Sequence, residues 1–376
     1  MNFINLVGEP LAEALKKQGI TEPTPVHSQV IPLALNKKSL IASAETGSGK
    51  TLAYLLPLYS AITIGIKKPQ AIVLAPTHEL AAQIFKQAEI LTQNLNSGIF
   101  PALLIGGASI TRQLEKIKEK PRLIIGSAGR ILELISMGKL SVHKVKTIVL
   151  DEADRLLSDS QSGDIKTLIS KTLRDRKLWF FSASISPEQA RAAQLLAPDV
   201  ETVQISGRQI PLNIQHFFIE CEKRDKVTVL RKILHSSGVQ KTLVFVNNQN
   251  DMDILAEKLK FHAVSCAAIS GSVLKNDRRN ALAAFREGRI TALISSDLAS
   301  RGLDIPGITH VIMADLPDDP DIYLHRAGRA GRMNRPGTVI VIVEKIDMPK
   351  LKKFEKEFSV KITETEISFG KMTEKQ

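Results

Sequence analysis

Leu40-Ile41-Ala42-Ser43-Ala44-Glu45-Thr46-Gly47-Ser48-Gly49-Lys50-Thr51 runs from a short apolar segment through a glycine-rich turn into residues with helical spacing. That order of strand, loop and helix is the context in which a Gly-rich stretch reads as a phosphate-binding loop. Glycines let backbone N–H groups converge on phosphate oxygens, and the helix that follows adds the positive end of its dipole. In this setting Lys50 reaches the β- and γ-phosphates, and Thr51 is a candidate ligand for Mg2+. The usual formula GxxxxGK(S/T) has Gly where this chain has Ala44, a small departure because Ala is also compact. The candidate nucleotide contacts here are Ala44, Glu45, Thr46, Gly47, Ser48, Gly49, Lys50 and Thr51.

Outward from this loop, short apolar runs at 40–44, 71–75, 122–126, 147–151 and 178–182 alternate with longer stretches of helical spacing. This predicts a mostly parallel sheet covered by helices. The pattern restarts with runs at 214–219, 242–246, 291–295, 309–313 and 338–343, so two α/β domains in tandem are expected. Gly and Pro interrupt both periodicities in Ser206-Gly207-Arg208-Gln209-Ile210-Pro211. The expected layout is a first domain over 1–206, a linker over 207–213, a second domain over 214–363 and a short polar tail over 364–376.

The second chemical signal is Asp151-Glu152-Ala153-Asp154, which follows the apolar run Thr147-Ile148-Val149-Leu150. A carboxylate at the end of a buried strand, paired with a phosphate loop, can hold Mg2+ through its water shell. That assigns Asp151 to the metal and Glu152 to the attacking water. The third is His325-Arg326-Ala327-Gly328-Arg329-Ala330-Gly331-Arg332. The second half has Asn247-Asn248-Gln249-Asn250 after its strand at 242–246 and no phosphate loop of its own, so these arginines are expected to serve the nucleotide of the first half.

Length and composition agree with this reading. The 376 residues suit two domains, and 43% apolar with 24% charged residues exclude global disorder and collagen-like structure. The net charge of +12 is spread over both halves, with 25 basic and 18 acidic side chains in 1–211 and 26 and 21 in 212–376. That suits a polyanion lying across both. Cys221 and Cys266 form neither a disulfide framework nor a CxxC zinc site. With no apolar run of about 18 residues and no leader-like start, a cytoplasmic location without membrane contact is expected.

The ordered set of motifs resembles the two-domain core of the DEAD-box RNA helicases, members of superfamily 2 with tandem RecA-like domains. It comprises Gly19-Ile20 and Pro23-Thr24-Pro25, AETGSGKT at 44–51, Pro76-Thr77 and Glu79-Leu80, Gly106-Gly107, DEAD at 151–154, Ser182-Ala183-Ser184, Ser296-Asp297, Arg301-Gly302 and Asp304, and the run 325–332. The resemblance extends from Phe3 to about Val343. It implies ATP and Mg2+ as cofactors and RNA, gripped largely without regard to sequence, as partner. By position it implies Ser182 and Ser184 as the coupling motif with His325 as its partner in the second domain, Arg329 and Arg332 as arginine fingers, Asp304 as a ribose contact and Phe3 as the aromatic that stacks on the base. RNA contacts would be Thr77, Gly107, Arg130, Arg278, Ser296 and Asp297.

Four positions depart from the family pattern. The family's adenine-reading glutamine aligns with His27, whose imidazole cannot present a donor and an acceptor from adjacent atoms. His78 replaces an arginine, Ser127-Ala128-Gly129-Arg130 replaces Thr-Pro-Gly-Arg, and Lys275 stands for the glutamine of a Gln-x-x-Arg pair. The implied activity is that of an ATP-dependent RNA helicase that separates short duplexes. The competing expectation, fed by these substitutions, is an ATP-gated RNA clamp or scaffold with weak or no unwinding.

Overall fold

The computed structural model describes residues 2–44, 47–183, 185–205, 213–236, 238–269, 275–297, 305, 307–331, 335–368 and 370–374. The chain divides into two compact units, Met1–Ser206 and Gly207–Gln376. Of the stretch expected as linker, only Asn213 lies within the described residues.

The first unit is built on seven parallel strands: β1 (Leu40–Ser43), β2 (Ala71–Leu74), β3 (Pro101–Leu104), β4 (Leu123–Gly126), β5 (Thr147–Asp151), β6 (Lys177–Ser182) and β7 (Glu201–Gln204). Their order across the sheet is β3-β4-β2-β5-β6-β1-β7. Because side chains alternate across a strand, each apolar run supplies two cores. Val73 and Val149 face one, and Ile72, Leu74, Ile148 and Leu150 face the other. Helices cover both faces, which explains why these runs read as continuously apolar instead of alternating. Gly126 is required where β4 passes β3, since a Cβ there would lie 1.9 Å from the Leu104 carbonyl oxygen.

The second unit carries β8 (Ile214–Glu220), β9 (Thr242–Phe245), β10 (Cys266–Ile269), β11 (Ala292–Ser295), β12 (His310–Met313), β13 (Gly337–Val343), β14 (Ile362–Ser368) and β15 (Lys371–Glu374). Their order is β10-β11-β9-β12-β13-β8-β14-β15, with β14 and β15 the antiparallel pair in an otherwise parallel sheet. Val339, Val341 and Val343 of β13 point into one core, and Ile340 and Ile342 into the other. Tyr323, Phe354 and Phe358 form an aromatic group against β8, where His216 Nδ1 lies 2.8 Å from the Tyr323 hydroxyl.

The polar stretch after Glu364 differs from the tail expected there. It holds the end of β14 and all of β15, with Glu364 paired to Phe218 of β8 and Thr365 to Glu374 of β15. The sequence Ile362-Thr363-Glu364-Thr365-Glu366-Ile367-Ser368 is rich in β-branched residues, and pairing with a pre-existing edge satisfies its backbone without a large apolar face. No helix among the described residues is long and apolar enough to cross a membrane.

Candidate nucleotide and RNA sites

In each unit the chemistry-bearing residues follow the carboxyl ends of the parallel strands, where open α/β sheets place their ligands. Strand β1 ends at Ser43, and the Ala44 N–H donates to the Ser182 carbonyl of β6 at 3.0 Å. Ala44 is buried, so the methyl that replaces hydrogen at the first position of the loop is absorbed by the core. Glu45 and Thr46 lie outside the described residues. Gly49, at φ 101°, turns the chain into the helix Lys50–Ala61, and every side chain from Leu52 to Tyr59 on that helix is buried. Lys50 Nζ donates to the Ala44 carbonyl, so the lysine head lies over the mouth of the loop.

Tyr54, one turn into this helix, was not singled out in the sequence. Its hydroxyl donates to Oδ2 of Asp151 at 2.8 Å. The candidate metal ligand Asp151 is therefore tied through one buried phenol to the helix that opens with Lys50 and Thr51. Burial and the adjacent carboxylate push the Tyr54 phenol well above its ordinary range. Burial also pushes the Asp151 carboxyl up, opposed by the Lys50 ammonium, the Tyr54 hydroxyl and the Glu152 N–H, which donates to Oδ1 at 3.0 Å.

Glu152 occupies the left-handed region at φ 50° and ψ 54°, a conformation that non-glycine side chains adopt at a cost. It caps the short helix Ala153–Leu156, and its carboxylate meets Arg155 at 3.4 Å. Asp154 is tied into the neighbouring strand: Ser182 Oγ, 1% exposed at the end of β6, donates to its Oδ1 at 2.6 Å. Gln189 Nε2 donates to the Asp154 carbonyl at 3.0 Å. Ser182 is thus joined directly to the acidic turn. Ser184 lies outside the described residues.

His27 and Phe3 also belong to this region. His27 is buried at the start of the helix Pro25–Leu35, and its imidazole is lowered to about 4, first by burial and against the Gly49 carbonyl bond, which raises it. Phe3, the expected base-stacking aromatic, is also buried, with its ring 5.2 Å from that of His27 at 61°.

The candidate RNA contacts of the first unit gather at the ends of β2, β3 and β4, which adjoin in the sheet. Thr77 caps the helix His78–Leu95 by accepting the Leu80 N–H. His78 packs over Gly106, whose absent Cβ would lie 3.5 Å from Nε2. Gly107 follows with φ 65°. Arg130, after β4, donates to the Ala108 carbonyl at 3.3 Å and pairs with Glu133 at 2.8 Å.

In the second unit Ser296 is buried, and Asp297, after β11, receives a two-pronged bond from Arg326 at 2.7 Å on each oxygen. Arg326 is 1% exposed, donates also to Asn247 Oδ1 and the Asp315 carbonyl, and lies 5.1 Å over the Phe245 ring. The sequence shows three arginines in one run, and the first of them organises the interior of its own unit. His325 lies in the last turn of the helix Pro320–Ala327, with Arg329 buried just beyond that helix, and Arg278 lies on the helix Lys275–Arg286. Arg332 and Asp304 lie outside the described residues.

The sequence pattern of the DEAD/DEAH box helicases matches residues 24–193, and that of the helicase conserved C-terminal domain matches 225–334. The chain is 42% identical over 97% of its length to the DEAD-box ATP-dependent RNA helicase CshC of Bacillus cereus, covering 93% of that protein. It is 39% identical to the probable ATP-dependent RNA helicase YfmL of Bacillus subtilis, over 99% of this chain and 98% of the relative. Among solved structures it resembles S. cerevisiae Dbp5 bound to RNA and ADP BeF3, with a TM-score of 0.83, 26% identity and coverage of 96% and 95% of the two chains. Likeness this high along nearly the whole length means that the chain belongs to the family of DEAD-box ATP-dependent RNA helicases.

Proposed function

We propose that the chain hydrolyses ATP when RNA is bound and uses the cycle to open short duplexes or rearrange RNA locally. One observation carries this reading. The residues suited to phosphate follow β1, β5 and β6, and those suited to RNA follow β2, β3 and β4, along the same edge of one sheet. The two groups adjoin where β2 pairs with β5, so occupancy of either bears on a strand paired with the other.

In this reading the loop 44–51 takes the phosphates, with Lys50 released from the Ala44 carbonyl to the β- and γ-oxygens. The hydroxyl of Thr51 and the carboxylate of Asp151 are hard oxygen donors that suit magnesium, which when bound offsets charge on the phosphate oxygens. Glu152 orients and deprotonates the attacking water. Ser182, through Asp154, ties the acidic turn to β6. Arg329 and Arg332 are assigned to charge compensation at the transferred phosphoryl group, worth about 10³–10⁵ in rate. RNA is held through phosphates and 2′-hydroxyls, as the +12 charge supports, with little reading of base sequence. Two free thiols, Cys221 and Cys266, favour a reducing cytoplasm.

The test is the ATPase rate with and without RNA for the native chain and Glu152→Gln, run beside displacement of a short RNA duplex. The expected result is stimulation by RNA, displacement of the strand, and loss of both in the variant. Hydrolysis insensitive to RNA refutes the proposal, and stimulation without displacement replaces it with the clamp.

A further inference from the structure

His27 stands where a residue that reads the base would stand, yet both of its ring nitrogens are engaged by the protein. Nδ1 receives the Thr24 backbone N–H at 3.0 Å, and Nε2 lies 3.1 Å from the Gly49 carbonyl oxygen. A carbonyl only accepts, so the hydrogen sits on Nε2 and leaves Nδ1 as the acceptor that Thr24 needs; one neutral tautomer serves both bonds. The ring is 2% exposed and its edge packs on Phe3. It also fills the space in front of Gly49, where a Cβ would meet Cε1 at 2.6 Å and Nε2 at 2.8 Å.

The neighbouring carbonyl is tied to the same helix start, since Thr24 Oγ1 donates to the Ser48 oxygen at 2.6 Å. Two consecutive carbonyls of the phosphate loop are therefore drawn toward the first turn of the helix Pro25–Leu35. In a planar trans peptide the C=O and the following N–H point in opposite directions. Drawing in the carbonyls of Ser48 and Gly49 aims the N–H groups of Gly49 and Lys50 the other way.

We propose that His27 is a positioning residue for the phosphate loop that leaves the base unread, so that the chain accepts GTP, CTP and UTP much as it accepts ATP. This rests on the hydrolase reading above. Telling adenine from the other bases takes a donor and an acceptor presented together, and His27 has neither left over. Phe3, buried against it, offers no open face for a base. Affinity then comes from the triphosphate, through groups that all four nucleotides share.

The experiment measures RNA-stimulated hydrolysis of ATP, GTP, CTP and UTP by the native full-length chain, His27→Ala and His27→Gln. For the native chain, kcat/KM for the four is expected to agree within about tenfold, the discrimination that one net hydrogen bond provides. His27→Ala is expected to raise KM for all four by a common factor, about tenfold, with kcat little changed. His27→Gln, whose amide can both accept from Thr24 and donate to Gly49, restores KM. The native comparison stands even if the alanine variant fails to fold. A native preference for ATP well beyond tenfold, or a KM increase in His27→Ala confined to ATP, overturns the proposal and leaves the helicase reading intact. Failure of the native chain to hydrolyse any of the four with RNA present overturns both.

Discussion

The hydroxyl of Tyr54 lies 2.8 Å from Oδ2 of Asp151, joining the helix behind the phosphate loop to the strand that ends in the acidic turn. The two residues are 97 positions apart, and both are buried. The phenol is a side-chain donor to a carboxylate that burial disfavours as an anion.

Replacing Tyr54 with Phe keeps the ring and removes that donor. The variant is expected to lose about 1–3 kcal/mol, the cost of leaving a buried charged acceptor underpaired. Denaturant unfolding followed by the fluorescence of Trp179, the only tryptophan and a residue of β6, reads this directly. An unchanged midpoint would mean that Asp151 finds another donor.

Glu152 holds a left-handed backbone that Asn tolerates better than Glu. Glu152→Asn is expected to raise stability by up to about 1 kcal/mol while abolishing hydrolysis, a gain in one property at the expense of the other. The same Trp179 signal, together with a single-turnover ATPase assay, checks both halves.

Arg326 makes four hydrogen bonds inside the second unit. A lysine carries the charge but not the fork, so Arg326→Lys is expected to destabilise that unit by about 3 kcal/mol. Trp179 lies in the first unit, so its transition should stay in place while far-UV circular dichroism shows an earlier one. Coincident shifts of both signals would contradict this.

His27 and His216, one in each unit, are both lowered to about 4 by burial. Among the described residues His216 Nε2 has no hydrogen-bond partner. A histidine depressed in the folded state favours folding fully above its unfolded value near 6.5, and that contribution is lost as pH falls toward 4. Each is expected to cost about 3 kcal/mol across that window. Urea midpoints between pH 7 and pH 4 measure the slope. His216→Phe should flatten it for the second unit, and an unchanged slope in that variant would assign the acid sensitivity elsewhere.

The ten apolar runs read from the sequence all fall on strands, because parallel strands covered on both faces need uninterrupted apolar residues. The strands that escaped detection lack that mark. β7 reads Glu201-Thr202-Val203-Gln204 at a sheet edge, β10 is half alanine, and β3 opens with a proline. The site divides in the same way. Lys50, Asp151 and Glu152 announce themselves by spacing, whereas Tyr54 sits among apolar neighbours on a helix and looks like core until the strand beside it is in place. Arg326 looked like one more arginine in a basic run. Its three hydrogen-bond partners, Asp297, Asn247 and Asp315, come from three other segments that only the fold assembles, and Asp297, expected to meet RNA, is the chief of them.

The antiparallel pair β14–β15 covers the side of β8 not occupied by β13. Cutting the chain ahead of Ile362 would leave the amide and carbonyl groups of β8 that now meet β14 open to any passing strand. A shortened version of this protein should therefore self-associate through that margin before it loses its interior, and trimming for crystallisation belongs after β15.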